Sequence, residues 1–397
     1  MRVLAVTNLY PNPYQPHRAP FNRQQLRALA AQHELAVIAP IAWTDELMLR
    51  RPSGAQLMPH RRAVCDGMAV DHPRYLFPPK VLRGWYGHCF RESIRAGFMG
   101  AVEAFQPDVI YATWAYPDGW AAVELAREAG LPVAVKVHGS DILLLGGRGG
   151  RRRRTIEALS RANAVVAVSR HLAEQVVALG INAQRVSVVY NGIDKTLFHP
   201  GEVEPQERNG KPPLVLYVGN LLPVKGLDVL IDACDRLARR GVHFDCRLIG
   251  HGPMKRAIER QIRERSLEDR VKLLGPRPLE DLPAWYRKAS LLVLPSRSEG
   301  VPNVVLEALA CRIPVVATRV GGVSEIVGND GLVAAGDAAA LATAIEAALV
   351  RKRETIAPKF VPPDWDESAA ALGRVLQGLT QCSTQLASEE GGARRAA

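Results

Sequence analysis

Short runs of β-branched and other apolar residues alternate with amphipathic helical stretches along almost the whole chain. In the first half the runs are RVLAVT (2–7), LAVIAP (35–40), DVIYAT (108–113), PVAVKVHG (132–139), AVVAVS (164–169) and RVSVVYNG (185–192). In the second half they are PLVLYVG (213–219), FDCRLIG (244–250), RVKLLG (270–275), LLVLPS (291–296) and IPVVAT (313–318). Their apolar residues are continuous, whereas a strand with one wet face would alternate. Continuous apolar strands joined by helices predict parallel sheets covered on both faces. Helical patterns at 21–32, 225–240 and 254–265 supply the covering layers.

One seam interrupts the rhythm. HPGEVEPQERNGKPP (199–213) is rich in Gly, Pro and charge and has no period. The chain is also too long, at 397 residues, for one ordinary core. We therefore read two Rossmann-like domains, 1–198 and 213–363, joined by a linker at 199–212. A late helix at 364–380 packs back on the first domain, and the small, polar stretch 381–397 reads as a disordered tail.

Composition bounds the rest. At 47% hydrophobic and 23% charged residues the chain reads as globular. No run of 18 apolar residues predicts a membrane-spanning helix, and the N-terminus reads as a strand and not as a signal peptide. Six cysteines form no CxxC pair, which argues against a zinc site or a disulfide framework and fits a reducing, cytoplasmic setting. The net charge of +11 is uneven, with 24 Lys+Arg against 15 Asp+Glu in residues 1–200. That basic half suits anionic lipid, a phosphorylated acceptor or nucleic acid. Within it, region 43–100 interleaves basic residues with Leu, Met, Phe and Trp. This is either a helical insertion with a solvated basic face or a surface for anionic headgroups at the inner face of a membrane.

The stretch SEGVPNVVLEALACRIPVV (298–316) carries the chemistry. It follows the strand LLVLPS, and ligands in open α/β sheets bind beyond the carboxyl ends of strands. Pro302 suits the first position of a helix. Free amides at a helix start attract phosphate, so Gly300, Val301, Pro302 and Asn303 mark a pyrophosphate site. Glu307, one turn on, is placed to accept from the vicinal hydroxyls of a ribose, and Glu299 from sugar hydroxyls. An exposed helix acid and a dipole-stabilising acid are the plainer readings of the same two residues.

The pattern E-G-x-P-x-x-x-x-E-A resembles the E-x7-E signature of retaining glycosyltransferases of family 4. These have the GT-B fold, two Rossmann-like domains with parallel sheets facing a central cleft. LYVGNLLPVKGLDVLIDAC (216–234), LIGHGP (248–253), VKLLGP (271–276) and VGGVSEIV (320–327) resemble that family's later segments in order. TNLYPNPYQPHRAPFNRQQLRALA, VHGSDI and VVYNGID resemble its earlier ones.

The resemblance implies a sugar transferase that uses a UDP- or GDP-sugar and retains anomeric configuration. The donor would lie on the C-terminal domain and the acceptor on the N-terminal one. Lys225 would neutralise charge on the leaving nucleoside diphosphate. His138 would lie near the donor sugar, with Asp141 orienting its loop or touching acceptor. Gly275 and Arg277 would lie by the base. The chain departs from the family twice. Asn220 stands where the family usually has Arg, and Ala19-Pro20-Phe21 stands where glycine often precedes an aromatic, leaving only Ala19 and Phe21 with amides to donate. GGRGGRRRR (146–154) reads as a solvated basic loop or as a clamp for an anionic acceptor. No Asp-x-Asp pair predicts a metal, and no cofactor is expected. The acceptor would be a glycan or lipid-linked sugar in cell-envelope polysaccharide synthesis. The competing readings are a non-catalytic glycan-binding or partner protein, another GT-B enzyme such as a nucleotide-sugar epimerase or phosphorylase, and a nucleic-acid binder. The last is disfavoured because no aromatic stacking platform accompanies the arginines.

Overall fold

The structure is a computed structural model and describes residues 1–53, 61–144, 149–201, 212–350 and 359–395. It divides into two compact units. Unit 1 is Met1–Gly192 with Trp365–Ala397, and unit 2 is Ile193–Asp364.

Unit 1 is built on an eight-stranded sheet. Its strands are β1 (Arg2–Val6), β2 (Glu34–Ile38), β4 (Arg62–Cys65), β5 (Met68–Asp71), β7 (Val109–Ala112), β8 (Val133–Val137), β9 (Ala164–Ala167) and β10 (Val186–Val188). Two further strands, β3 (Ile41–Ala42) and β6 (Arg74–Tyr75), pair with each other. The large sheet runs β10-β9-β8-β7-β1-β2-β5-β4 and is parallel except at β4. The order reverses at β1, whose two neighbours, β7 and β2, lead to opposite edges. Val3, Ala5, Val109 and Tyr111 are fully buried, as strands covered on both faces require. The helix Pro20–Ala30 seats Leu26 and Leu29 on this sheet, beside Trp365, Leu372 and Leu376 of the final helix, Trp365–Arg395. That helix extends past the expected end at 380, so the segment 381–395 is helical and not an irregular tail.

Region 43–100 differs from the helical insertion expected. It holds two helices, Trp43–Ser53 and Tyr86–Phe105, but between them β4 and β5 form a hairpin that extends the sheet. The signal was Asp66-Gly67, both with positive φ (50° and 79°), which is the two-residue turn that antiparallel strands favour. The arginine run also differs. Residues 146–148 lie outside the described residues, and Arg151–Arg154 form the first turns of a helix, Gly150–Arg161. Arg154 pairs with Glu157 at 2.7 Å and lies over the Trp120 ring.

Unit 2 has six parallel strands: β11 (Leu214–Val218), β12 (Asp245–Ile249), β13 (Val271–Gly275), β14 (Leu291–Leu294), β15 (Val315–Thr318) and β16 (Leu332–Val333). Their order is β13-β12-β11-β14-β15-β16. Counted within the unit this is 3-2-1-4-5-6, the dinucleotide-fold order, with its reversal between β11 and β14. The helix Leu227–Arg239 buries Leu227, Leu230, Ile231, Cys234 and Leu237, the three-and-four spacing of one helical face. They pack on Val215, Tyr217, Leu248 and Val293 of the sheet. Truncating Leu230 to Ala would cost about 2–5 kcal/mol.

Candidate active site

The loop after β11 and the loop after β14 meet at unit 2's reversal point. Lys225 ends the first and Glu299 lies in the second. Lys225 Nζ is 2.6 Å from Glu299 Oε1, and Ser296 Oγ donates to the same oxygen at 2.6 Å. Glu299 is almost wholly buried and Ser296 fully so. Both of these bonds fall on Oε1. Glu299 is thus a buried, doubly bonded acid and not a surface residue.

Two glycines make the approach possible. A Cβ on Gly226, the residue after Lys225, would lie 2.0 Å from the carbonyl oxygen of Pro295. A Cβ on Gly321 would lie 1.8 Å from that of Glu299. Both have positive φ, 64° and 52°, so any side chain is excluded twice over. The Gly322 amide then donates to Gly300 O at 2.9 Å and ties the Glu299 loop to the loop after β15.

Gly300, Val301 and Pro302 lead into the helix Asn303–Ala310. Pro302 is the N-cap, with extended backbone (φ −74°, ψ 121°), one place before the first-turn position expected of it. The Pro302 side chain offers no cap to this end. Glu307, on the same helix, is half-buried. Tyr286, fully buried, donates its hydroxyl to Glu307 Oε2 at 2.7 Å. Burial pushes the Glu307 carboxyl up to about 7, against the opposing pull of the Tyr286 bond. Gly275 closes β13 with φ 73°, and its carbonyl accepts from Gly250 N at 3.0 Å. Arg277 and Asn220 are exposed. Asn220 contributes its carbonyl to the Tyr217 hydroxyl at 3.0 Å, so its backbone sets the loop.

In unit 1 a second cluster lies beyond β8. Asp141 is buried, and both its oxygens accept from backbone amides: Oδ1 from His138 (3.0 Å) and Gly139 (2.9 Å), Oδ2 from Ala115 (3.3 Å). Of the two roles expected of Asp141, the geometry gives it the first: it orders the loop and does not reach outward. The His138 ring packs between Phe21 (5.0 Å) and Trp114 (6.0 Å between ring centroids). Its Nε2 is buried without a hydrogen-bond partner. Burial holds the imidazole well below its usual range, and the Lys136 ammonium pushes the same way. His138 is thus a neutral ring with one unanswered nitrogen. Ala19, the N-cap of helix Pro20–Ala30, adopts the left-handed region (φ 45°, ψ 60°). That conformation favours glycine, so the chain keeps the glycine-like loop at a local strain.

Sequence reasoning missed three partners. Tyr286, Ser296 and Trp114 read as core or loop residues, and only the fold brings them to Glu307, Glu299 and His138. Among the described residues no group of three or more His, Cys, Asp or Glu could hold a metal ion, and no helix is long and apolar enough to cross a membrane.

Two parallel-sheet α/β units in one chain are the architecture of the GT-B glycosyltransferases. HepE of Anabaena, solved with UDP and glucose, shares the fold: TM-score 0.68, 21% identity, 99% of this chain and 100% of that one. Profiles described as "Glycosyltransferase Family 4" and "Glycosyl transferases group 1" match residues 21–197 and 212–351. A Bacillus subtilis glycosyltransferase, TuaC, named for teichuronic acid biosynthesis, is 30% identical over 83% of this chain and 84% of its own length. An uncharacterized glycosyltransferase of Methanocaldococcus jannaschii is 34% identical over 59% of this chain, which spans 62% of that protein. The chain belongs to family 4 of the glycosyltransferases.

Proposed function

We propose that this glycosyltransferase moves a sugar, with retention, from a UDP- or GDP-sugar to a hydroxyl of a glycan or lipid-linked acceptor in cell-envelope polysaccharide synthesis. The observation that carries the reading is the Lys225–Glu299–Ser296 cluster at the reversal point of unit 2. Lys225 would meet a diphosphate together with the amides of Gly300 and Val301, and its charge would offset the charge that grows as the glycosidic bond breaks. Ser296 and Lys225 hold Glu299 so that Oε2 accepts from sugar hydroxyls. Glu307 accepts from the ribose, with Tyr286 fixing its rotamer. The neutral His138 receives a hydroxyl proton as a hydrogen-bond acceptor at Nε2 and bears no charge that would oppose an oxocarbenium-like centre.

TuaC's name and the UDP bound to HepE support the polysaccharide and nucleotide parts of the reading. A peripheral membrane contact is supported by Leu76, Val81, Leu82 and Trp85, all more than half exposed, beside Lys80 and Arg83. Asn220, uncharged where the family usually has Arg, favours a non-catalytic glycan-binding alternative.

Calorimetric titration with UDP, GDP and ADP tests the site. One nucleotide should bind to wild type and bind more weakly to Glu307→Ala. Equal binding by both proteins would remove Glu307 from the site.

A further inference from the structure

The loop after β14 carries a second tie to the loop after β11, apart from Glu299. Arg297, two residues before Glu299, reaches across with its backbone and its side chain. Its amide donates to Val224 O at 2.7 Å. Its Nη1 donates to Pro223 O at 2.7 Å and to Asp228 Oδ1 at 2.9 Å, and its Nη2 to Asp228 Oδ2 at 2.6 Å. Pro223 and Val224 stand directly before Lys225 in a single helical turn, Pro223–Lys225. Asp228 stands after it, in the first turn of helix Leu227–Arg239. One residue therefore grips the chain on both sides of Lys225.

Little else fixes that turn. It closes on a bond of 2.9 Å from Lys225 N to Leu222 O and one of 3.3 Å from Gly226 N to Pro223 O. A turn this short, ended by a glycine at positive φ, is weakly determined by its own bonds. The Lys225–Glu299 pair also joins the two loops. Its ammonium, however, is the group that would serve a diphosphate, and its hold on Glu299 falls as Nζ turns to a ligand. Arg297 has no such second duty, because both of its terminal nitrogens are committed to Pro223 and Asp228.

Stability does not account for this clasp. The Arg297 and Asp228 side chains are 41% and 46% exposed, and exposed ion pairs add little to folding. What a guanidinium adds is geometry. A planar fork that meets both oxygens of one carboxylate fixes distance and angle together, which an ammonium cannot do. The Arg297 hydrogen bonds hold the Asp228 carboxyl below its usual range, so it stays ionised at neutral pH.

We propose that Arg297, clasped to Asp228, is a positioning residue that holds the Lys225 turn where its ammonium meets the terminal phosphate of the donor. The inference rests on the reading that Lys225 serves the donor's diphosphate. The charge that grows as the glycosidic bond breaks falls on the phosphate attached to the sugar. That phosphate is the second one of the departing nucleotide, so the clasp acts on the second phosphate and not on the first.

Calorimetry on the full chain with UMP and UDP, and with GMP and GDP, reads this as the ratio of diphosphate to monophosphate affinity. Lys225→Ala should lower the ratio about tenfold. Arg297→Ala and Asp228→Asn should each lower it about three- to tenfold, with the monophosphate bound as in wild type. Arg297→Lys should do no better than Arg297→Ala, since a point charge does not rebuild the fork. Arg297→Ala combined with Lys225→Ala should lose no more than Lys225→Ala alone. An unchanged ratio in Arg297→Ala, beside a lowered one in Lys225→Ala, would overturn the proposal and leave the donor site standing. Equal loss of monophosphate and diphosphate would overturn it too, because a merely structural role weakens both. A further loss in the double variant, or a ratio restored by Arg297→Lys, would overturn it in favour of a cation that touches phosphate directly. A ratio unmoved by Lys225→Ala, or a chain that binds neither nucleotide pair, would remove the donor-site reading and this inference with it.

Discussion

In the proposed site, Glu307 should make donor binding a function of pH. In the free protein its carboxyl is pushed up to about 7 by burial. Ribose hydroxyls would donate to the ionised form, so the bound carboxyl would titrate lower. Affinity is therefore fully present above the free value and falls as pH drops through it. From pH 8 to pH 6 the ionised fraction of free Glu307 falls from about nine-tenths to about one-tenth, roughly a tenfold loss of affinity. The probe is a nucleotide sugar, whose diphosphate is esterified at both ends and does not titrate in this range. Glu307→Gln keeps an acceptor for the Tyr286 hydroxyl. It loses a charge-assisted bond to the ribose, about 2–3 kcal/mol, or roughly 30- to 150-fold at pH 8. Calorimetry at pH 6, 7 and 8 on both proteins reads the effect. Wild type should show the tenfold slope and the variant none. A flat wild-type profile, or the same slope in the variant, would refute the ribose role of Glu307.

Lys225→Ala should lower turnover by about 10²–10³-fold with a smaller change in nucleotide affinity, measured as kcat against Kd. Gly321→Ala should unfold unit 2 at a markedly lower temperature and lose nucleotide binding, since its methyl has no room beside Glu299 O. A thermal melt with and without nucleotide checks both. His138→Ala should reduce kcat, yet any limb of kcat/KM between about 6 and 7 should be the one Glu307 gives and should persist in this variant, because burial and Lys136 keep the His138 ring neutral there. A pH–rate profile with such a limb, abolished in the variant, would contradict that assignment.

Much of this was readable before any coordinates. Period and length were enough to define six of the eight strands in unit 1's large sheet and five of the six in unit 2's, because buried parallel strands leave an unbroken apolar record. Lys225, Glu299 and Glu307 stood out because a glycine, a proline and a strand end surround them locally. What the sequence hid was contact between distant segments. Tyr286 lies 21 positions from Glu307 and reads as an ordinary helix aromatic. Ser296 gains its role only when β14 brings it beside the loop after β11. The hairpin β4–β5 was overlooked because its basic residues obscured the Asp66-Gly67 turn. Asp141 could be placed in a loop, but not oriented, since only the fold shows which amides its oxygens meet.

The most direct test of the account follows the anomeric centre. The protein is incubated with the nucleotide sugar it binds, and the sugar released to water is followed by proton NMR before mutarotation. The account predicts slow release that starts as the anomer present in the donor and is abolished in Lys225→Ala. Release as the opposite anomer would contradict retention, and a bound donor that never turns over would contradict catalysis itself.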